Sequence, residues 1–385
     1  MAMWFLRIFM LLLVSSCVSS DFLENPDFES PPLNLPKNLN ASSVSLDQNS
    51  TLPGWTFQGT VLYVTSLELP DTGHAVQLGE DGKINQTFIA KGDDLNYILT
   101  FALIRGGQNC SSSAGLSVSG PDSNAVFSYR DNISKVSWQS YSHNLGRWGN
   151  GEPINLVLES QAIDSDTNST CWPIIDTLLI KTIGVTLVQE SGNLLTNGGF
   201  ESGPGFLPNS TEGVLIEEVP SLIQSALRQW SVIGTVRYID SEHFHVPEGK
   251  AAIEILADKA PSGIQTATRD TSEGSRYNLT FTLGDANDAC RGHFVVGVQA
   301  GSTAQNFTLE SNGTGSGEKF GLVFEADKAA AQISFTSYSV TMTKEDVLCG
   351  PVIDEVIVHP PLGGATSVKP TWLLLICVFL YVAVL

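Results

Sequence analysis

The sequence has few basic residues. Its 385 residues include 20 Lys and Arg against 40 Asp and Glu, which gives a formal net charge of −20. Nucleic-acid phosphates are bound by clustered Lys and Arg, and the sequence contains no such cluster. The composition therefore argues against a nucleic-acid partner. An acidic surface suits a medium that supplies cations, calcium among them.

Long apolar runs are scarce too, and the one near the start of the chain is short. Residues 1–20, MAMWFLRIFMLLLVSSCVSS, place Arg7 before this run and end in small residues, a pattern typical of a secretory signal peptide. A membrane anchor is the weaker interpretation because the run is short. The stretch VSSC, which ends at Cys17, also resembles a bacterial lipoprotein cleavage box.

The other apolar run, WLLLICVFLYVAVL at 372–385, has no charged residue after it. Its 14 residues are too few for a bilayer core, which requires about 20. Small residues and a short polar spacer precede it. Residues 361–385 are therefore predicted to be a glycosylphosphatidylinositol anchor signal whose apolar tail is removed, with the lipid on Gly363 or Gly364. A plain membrane tail or a degenerate terminus is the alternative.

Asn-x-Ser/Thr triplets, in contrast, are frequent. Together with the two end signals, they predict a secreted glycoprotein that is held at the outer membrane leaflet. The ten predicted glycosylation sites are Asn40, Asn49, Asn85, Asn109, Asn132, Asn168, Asn209, Asn278, Asn306 and Asn312.

Cysteine is rare, with six residues in all, two of them in the predicted signal and tail. The four others, Cys110, Cys171, Cys290 and Cys349, allow three pairings. Cys110 and Cys290 follow the similar phrases YILTFAL and YNLTFTL, and Cys171 and Cys349 open CWPIID and CGPVID. The matched positions predict the disulfides Cys110–Cys171 and Cys290–Cys349, one in each half of the chain.

The second half of the chain repeats the first. NPDFESPP at 25–32 matches NGGFESGP at 197–204, and GWTFQGTVLYV later matches QWSVIGTVRYI at a similar offset. Few insertions separate the two copies. We therefore expect two domains at 21–187 and 193–360, joined by a linker at 188–192 that is short enough to keep them close together.

The local pattern is that of β-strands. In YNLTFTL, at 277–283, apolar and polar residues alternate with the period of two that a half-buried strand requires. Short segments of this kind recur between clusters of Gly, Ser, Asn and Asp. Only SLIQSALRQW at 221–230 looks helical. Many short strands without helical crossovers predict an all-β fold of two tandem jelly-roll sandwiches.

The paired phrases resemble those of known extracellular domains. N-G-x-F-E near the start of a domain and I-D in its last strand are similar to galactose-binding-like jelly rolls. The tandem FESPP, HVPEGKAA, YxLTFxL and CGPVID phrases resemble the plant cell-wall family of domain-of-unknown-function 642. Trp172 stands where that family has Gly, and NPD where NGN or NGG is usual, so the first domain's binding surface is expected to differ.

The resemblance implies partners and a metal. Partners would be cell-wall polysaccharide such as cellulose or pectin, and wall-modifying enzymes such as pectin methylesterase. In jelly-roll relatives the Glu of N-G-x-F-E and the Asp of I-D bind a structural calcium, which implies Glu29 with Asp176 and Glu201 with Asp354 here. The alternative is that these carboxylates accept backbone amide hydrogen bonds at the ends of strands.

Exposed aromatic rings are the usual platform for a sugar. Trp55 and Trp230 hold equivalent positions in the two copies, which favours a place in the core over a role in ligand binding. Trp138, Tyr141 and Trp148 belong to the first copy alone and lie in the polar, Gly-bearing stretch SWQSYSHNLGRWGNG. They are the predicted carbohydrate-binding residues.

Motifs of catalysis are missing from the sequence. It contains no G-x-S-x-G, no H-E-x-x-H and no phosphate-binding glycine loop. A pair of carboxylates is enough for glycoside hydrolysis, which makes a glycosidase the minor alternative. The sequence predicts a non-catalytic extracellular protein that binds wall carbohydrate, with no cofactor besides calcium. The main alternative is an adaptor that docks a wall enzyme.

Overall fold

The computed structural model describes residues 22–33, 42–65, 73–106, 110, 114–135, 138–162, 171–184, 192–208, 210–219 and 221–361. The predicted signal peptide, Gly363 and Gly364 with the apolar tail, and most of the linker at 188–192 lie outside these residues. So do the sequons at Asn40, Asn109, Asn168 and Asn209. The described residues contain no helix that is long and apolar enough to cross a membrane.

The described part of the chain is built of 23 strands, numbered here in chain order. The first domain contains β1 (Ser43–Ser45), β2 (Thr56–Gln58), β3 (Val61–Val64), β4 (Ala75–Leu78), β5 (Lys83–Ile89), β6 (Leu95–Gly106), β7 (Gly115–Gly120), β8 (Ser123–Ser128), β9 (Gln139–Trp148), β10 (Pro153–Gln161) and β11 (Trp172–Gly184). The second domain contains β12 (Val214–Val219), β13 (Ser231–Asp240), β14 (Ala251–Ile255), β15 (Ser262–Ala267), β16 (Arg276–Asp285), β17 (Arg291–Ala300), β18 (Thr303–Asn312), β19 (Ser316–Glu325), β20 (Gln332–Ser337), β21 (Thr341–Met342), β22 (Leu348–Cys349) and β23 (Val352–His359).

Both domains have the same strand order. In the first, the sheet β1-β3-β4-β11-β6-β9 faces the sheet β2-β5-β10-β7-β8. In the second, β12-β13-β14-β23-β16-β19 faces β13-β15-β20-β17-β18, and the long strand β13 takes part in both sheets. Neighbouring strands within each domain run antiparallel. The predicted all-β fold with two tandem jelly-roll sandwiches is confirmed.

Alternating side chains fill the space between the two sheets of each domain. In β16 the apolar residues at 277, 279, 281 and 283 are buried, as the period of two requires. Trp55 and Trp230 are buried in the two cores, with side-chain packing on Phe28 and Phe200. The expectation that these tryptophans belong to the core agrees with their burial.

One disulfide closes each sandwich. Cys110 bonds to Cys171 and Cys290 to Cys349, with Cα–Cα separations of 5.2 Å and 5.8 Å. The pairing is the one expected from the matched phrases. In the chain-entropy estimate, a bridge across a loop of this size stabilises a domain by roughly 4 kcal/mol.

The expected helix at 221–230 is wrong, because these residues form consecutive turns. Serine side chains accept hydrogen bonds from backbone N–H groups, which in a helix would donate to backbone carbonyls. The Ile223 N–H donates to Ser221 Oγ (3.3 Å), and the Leu227 N–H donates to Ser225 Oγ (3.1 Å). Gln229 then adopts a φ of +67°, which ends the segment and sends Trp230 into the core.

The two domains share one continuous sheet. Strand β12 of the second domain pairs with β13 on one side and, in parallel, with β9 of the first domain on the other, with Leu215 opposite Tyr141. Ion pairing reinforces the joint, since Arg130 Nη2 lies 2.6 Å from Glu217 Oε1. Arg237 Nη2 donates to the Ile133 carbonyl (2.5 Å). The halves therefore sit in direct contact, as the short linker predicts.

Candidate functional site between the domains

The repeated N-x-x-F-E phrase forms the same tight loop in both copies. Asn197 Nδ2 donates to the Ser202 carbonyl (2.8 Å), and the Ser202 N–H donates back to Asn197 Oδ1 (2.9 Å). The indole N–H of Trp230 donates to the Asn197 carbonyl (2.9 Å), and the Tyr238 hydroxyl donates to the Phe200 carbonyl (2.9 Å). Asn197 has a φ of +58°, a backbone region that Asn tolerates better than most residues.

The first copy repeats these contacts through Asn25, Ser30, Trp55, Phe28 and Tyr63. The loop is hydrogen-bonded to the last strand of its own domain, because the Leu178 N–H donates to the Pro26 carbonyl (2.9 Å) and the Val356 N–H to the Gly198 carbonyl (3.0 Å). Each sandwich therefore has its own copy of this loop, which explains why the phrase occurs twice in the sequence.

In the first domain the loop brings Glu29 close to Asp176. Glu29 Oε2 lies 2.9 Å from His74 Nδ1, while Glu29 Oε1 is buried and has no hydrogen-bond partner in the described part of the chain. Asp176 is buried and accepts a hydrogen bond from the Thr177 N–H (2.6 Å). Burial raises the pKa of Asp176 to about 7, and the charges of Glu29 and Asp27 act in the same direction.

In the second domain the matching carboxylates are satisfied by backbone amides. Asp354 accepts from the Glu248 N–H (2.9 Å) and the Glu355 N–H (2.6 Å), and Glu201 Oε1 accepts from the Lys250 N–H (2.8 Å). Burial raises the pKa of Asp354 to about 7, with the charges of Glu201 and Glu355 adding to the effect. These backbone amide hydrogen bonds are the alternative to calcium given in the sequence analysis.

The fit to calcium therefore differs between the domains. Calcium takes six to eight oxygen ligands, and no group of three His, Cys, Asp or Glu side chains in the described residues is arranged to hold a metal. The unpartnered Glu29 oxygen offers a cation one ligand in the first domain, and Asp176 lies near it. The second domain offers no such orphan among these carboxylates. Calcium binding stays a prediction, and the donor atoms favour the first domain.

A cleft of about 550 Å³ opens beside Glu201, at the joint between the domains. The second domain supplies nearly all of its lining, including Phe206 and Tyr238, whose rings are stacked with centroids 5.0 Å apart. Lys181, on β11, comes from the first domain. Ligand sites are often found at domain interfaces, and the first domain contributes Lys181 to this cleft.

The charged groups of the cleft carry both signs. Lys181 and Lys250 provide ammonium groups, and Glu201 and Glu242 provide carboxylates. Lys181 Nζ donates to the Pro204 carbonyl (3.3 Å), and burial lowers the pKa of Lys181 although the charge of Glu201 opposes the shift. The cleft therefore contains both hydrogen-bond donors and acceptors.

The turn after β13 is held by Asp240, the last residue of that strand. Asp240 Oδ1 accepts hydrogen bonds from the backbone N–H groups of Glu242 (2.8 Å) and His243 (2.9 Å). His243 Nδ1 lies 3.0 Å from the same carboxylate oxygen. These contacts hold Glu242 and His243, which line the cleft, in place without a ligand.

A second cavity, of about 570 Å³, lies beside the end of β23. Its lining includes Tyr277, Val323, Pro360 and Pro361, and the sequon Asn278 is part of it. It offers fewer charged side chains than the cleft between the domains, which is the better candidate site.

Sequence comparisons identify the family. The family profile "Protein of unknown function (DUF642)" matches residues 21–181 and 193–359. The chain belongs to the DUF642 family.

Two Arabidopsis thaliana relatives of this DUF642 protein align over most of its length. It is 33% identical to "Protein DUF642 L-GALACTONO-1,4-LACTONE-RESPONSIVE GENE 2", over 87% of this chain and 90% of the relative. It is 31% identical to "Protein DUF642 L-GALACTONO-1,4-LACTONE-RESPONSIVE GENE 1", over 90% of this chain and 92% of the relative.

A solved structure also aligns with this DUF642 protein, although distantly. It is the N-terminal CBM22-1-CBM22-2 tandem domain of Xyn10C from Paenibacillus barcinonensis, with 12% identity and a TM-score of 0.26. The alignment covers 82% of this chain and 96% of that one. At this level the likeness carries no argument about a ligand.

Two of the three predicted carbohydrate-binding aromatics of this DUF642 protein are buried. Trp138 is only 7% exposed, because it packs with Leu179 of the first domain and Leu207 of the second. Tyr141 is fully buried in the first core, and its hydroxyl donates to the Ser128 carbonyl (2.8 Å). The expectation of exposed ring faces at these two residues is therefore wrong.

Trp148 stays a prediction. It is half-buried against the first core, and its indole N–H donates to the Leu145 carbonyl (3.2 Å). The structure does not bring it together with the cleft lining.

Sequence reasoning missed Phe206 and Tyr238. A signal was available in the aligned phrases, since FESPPLNLP of the first copy has Asn34 where FESGPGFLP of the second has Phe206. An aromatic residue replaces a polar one beside the repeated loop, in the copy that forms the cleft.

Proposed function

We propose that this DUF642 protein is a secreted, glycosylated and lipid-anchored protein of the plant cell wall that binds wall polysaccharide, such as cellulose or pectin, without catalysis. The single observation that carries the proposal is the cleft between the domains, with its stacked aromatic pair and its charges of both signs. Secretion and anchoring are supported by the sequence at the two ends of the chain and by the sequons.

The chemistry of the cleft suits a polysaccharide that is uncharged or carries only some charged sugars. A sugar hydroxyl both donates and accepts hydrogen bonds, so it can bond an ammonium group and a carboxylate at once. Lys181 and Lys250 would donate, and Glu201 and Glu242 would accept. The half-buried ring of Phe206 gives an apolar surface for the C–H face of a pyranose. Recognition of this kind is non-covalent and requires no acid–base step.

The proposal is tested by retention on immobilised wall polysaccharides. Protein made from the full-length sequence in plant cells is applied at low and high salt, with calcium and with chelator. We expect retention on one polymer at both salt concentrations, because stacking and short hydrogen bonds are weakly screened. Phe206→Ala should abolish retention, whereas the matched control Ile223→Ala, at a residue 77% exposed and outside the cleft lining, should not. Retention that is unchanged in Phe206→Ala would contradict the assignment of the cleft.

The net charge of −20 favours one second candidate, an adaptor that docks a basic wall enzyme such as pectin methylesterase. Docking by charge should weaken steeply as salt rises, in contrast to sugar retention. Absence of retention on every polysaccharide, with salt-sensitive capture of the enzyme, would place this function first.

A further inference from the structure

Three apolar side chains are exposed on one short segment of the second domain. Tyr338 is 65% exposed, Val340 50% and Met342 39%, at alternate positions directly after β20. Large apolar side chains that are exposed together usually contact something. None of the three lines the cleft between the domains, so the proposed function does not account for them.

The strand register places a sequon next to this segment. Asn306 of β18 lies opposite Gly297 of β17, and Gly297 lies opposite Thr336 of β20. Tyr338 follows Thr336 by two residues and lies directly after the end of β20. Asn306 begins the triplet Asn-Phe-Thr, and Asn306 and Thr308 are both exposed.

Gly297 leaves open the space between Asn306 and Tyr338. A methyl group placed on Gly297 would lie 3.4 Å from Asn306 Oδ1 and 3.3 Å from the ring carbon Tyr338 Cε2. The amide of the sequon and the edge of the aromatic ring therefore flank the same point of the sheet surface, and only bare backbone lies between them.

We propose that an N-linked glycan on Asn306 packs its first sugar ring on Tyr338, across the backbone of Gly297. The sugar attached to the Asn306 amide would begin on the opposite side of Gly297 from the aromatic ring. The C–H face of the sugar then covers a ring that the protein alone leaves in water. The occupant of the exposed Tyr338 ring is the protein's own glycan, so the inference rests only on the secretion and glycosylation in the proposed function.

The neighbouring sequon on the same strand provides a matched control. Asn312 lies at the end of β18, and its Oδ1 accepts hydrogen bonds from the Thr314 N–H (3.1 Å) and the Thr314 hydroxyl (2.6 Å). It is exposed, as Asn306 is, and lies at the far end of β18 from the register position of Gly297. A glycan on Asn312 should therefore be independent of Tyr338.

The test combines glycopeptide mass spectrometry with thermal unfolding of the full-length protein secreted from plant cells. We expect a glycan on Asn306. Asn306→Gln, Thr308→Ala and Tyr338→Ala should each lower the unfolding midpoint by about 2–4 °C, the shift that one such contact gives in a domain of this size. The double variant Asn306→Gln/Tyr338→Ala should lose no more than either single variant. Tyr338→Phe should keep the wild-type midpoint.

Two further results separate this inference from the proposed function. Asn312→Gln and Tyr338→Ala should have additive effects, because their sites are independent. If no sequon carries a glycan, the glycosylation in the proposed function and this inference both fail. If Asn312 is glycosylated but Asn306 is not, or if the effects of Asn306→Gln and Tyr338→Ala are additive, the inference is overturned and the proposed function is untouched.

Discussion

Glu29 and Glu201 hold the same position in the two copies and yet have different surroundings. In the first copy, Gly73 before β4 is followed by His74, and His74 Nδ1 lies 2.9 Å from Glu29 Oε2. The matching residue in the second copy is Lys250, whose backbone N–H donates a hydrogen bond to Glu201 Oε1. A side-chain partner leaves Glu29 Oε1 unpaired in the buried site. An unpaired buried oxygen is costly unless a cation or a proton satisfies it.

We therefore predict that calcium stabilises the protein through its first domain. The unfolding midpoint should be higher in calcium than in chelator, since a ligand present at about 100 times its Kd stabilises the folded state by about 2.7 kcal/mol. Glu29→Gln should remove the response, and Glu201→Gln should keep it. Differential scanning calorimetry checks the prediction. A calcium response that is lost in Glu201→Gln instead would assign the cation to the second domain.

At the scale of the strand, the last strand of each domain carries a buried acid at an irregular position. The pairing of β11 with β6 shifts register after Asp176, and the pairing of β23 with β16 shifts register beside Asp354. The next residues, Thr177 and Glu355, have φ values of +45° and +50°. Each bulge turns a backbone N–H toward the acid, which holds the carboxylate inside the fold.

These buried acids predict that the protein is more stable at pH 5 than at pH 8. Burial raises the pKa of Asp176, Asp354 and Glu254 to about 7, so the folded chain holds protons that the unfolded chain has released between about pH 4 and pH 7. The free energy of unfolding then falls as the pH rises through this range. Burial also lowers the pKa of His143 to about 4, which opposes the trend below pH 6.5, but it is one group against three.

Thermal unfolding in chelator from pH 4.5 to pH 8 measures this effect. Asp176→Asn and Asp354→Asn should each flatten the dependence, since one unit of pKa shift corresponds to about 1.4 kcal/mol. The exposed Asp122→Asn serves as the control and should leave the slope unchanged. A midpoint that rises steadily toward pH 8 would contradict the prediction.

The elements that the sequence predicts are those set by local pattern or by comparison of the copies. Alternation along YNLTFTL predicts β16, and the paired phrases around Cys110 and Cys290 predict both disulfides. The burial of Trp138 is not predictable in this way, because Leu207 of the other domain covers it. The cleft depends on the same domain joint. Local periodicity carries no information about which faces two domains hide from water.

At the scale of the whole molecule, the joint contains a buried ion pair. Arg237 Nη1 lies 2.7 Å from Glu254 Oε2, with both side chains almost fully buried. The other oxygen of Glu254 accepts from the Gly350 N–H (2.9 Å), and Arg237 also reaches the Ile133 carbonyl of the first domain. One guanidinium thus neutralises the buried acid of its own domain and ties that domain to its neighbour.

Arg237→Met should destabilise the protein strongly, because it leaves Glu254 buried without its cation. Loss of one partner of such a pair costs about 3–5 kcal/mol. The loss should be smaller at pH 5 than at pH 8, since a protonated Glu254 needs no cation. The double variant Arg237→Met/Glu254→Gln should recover most of the stability in urea unfolding. A double variant as unstable as Arg237→Met would show that the tie to Ile133, and not the unpaired acid, accounts for the loss.

The same variants separate the stability of the joint from its function. In Arg237→Met/Glu254→Gln the acid is neutral but the tie to Ile133 is gone, so we expect faster proteolysis of the linker at 188–192. Arg130→Met removes the partly exposed ion pair with Glu217. It should accelerate proteolysis of the linker less than Arg237→Met/Glu254→Gln does, since exposed pairs contribute about 0–1 kcal/mol.

If the domains move apart, Lys181 leaves the cleft, and retention on polysaccharide should fall although no residue of the cleft has been changed. Full retention with a freely cleaved linker would instead confine binding to the second domain.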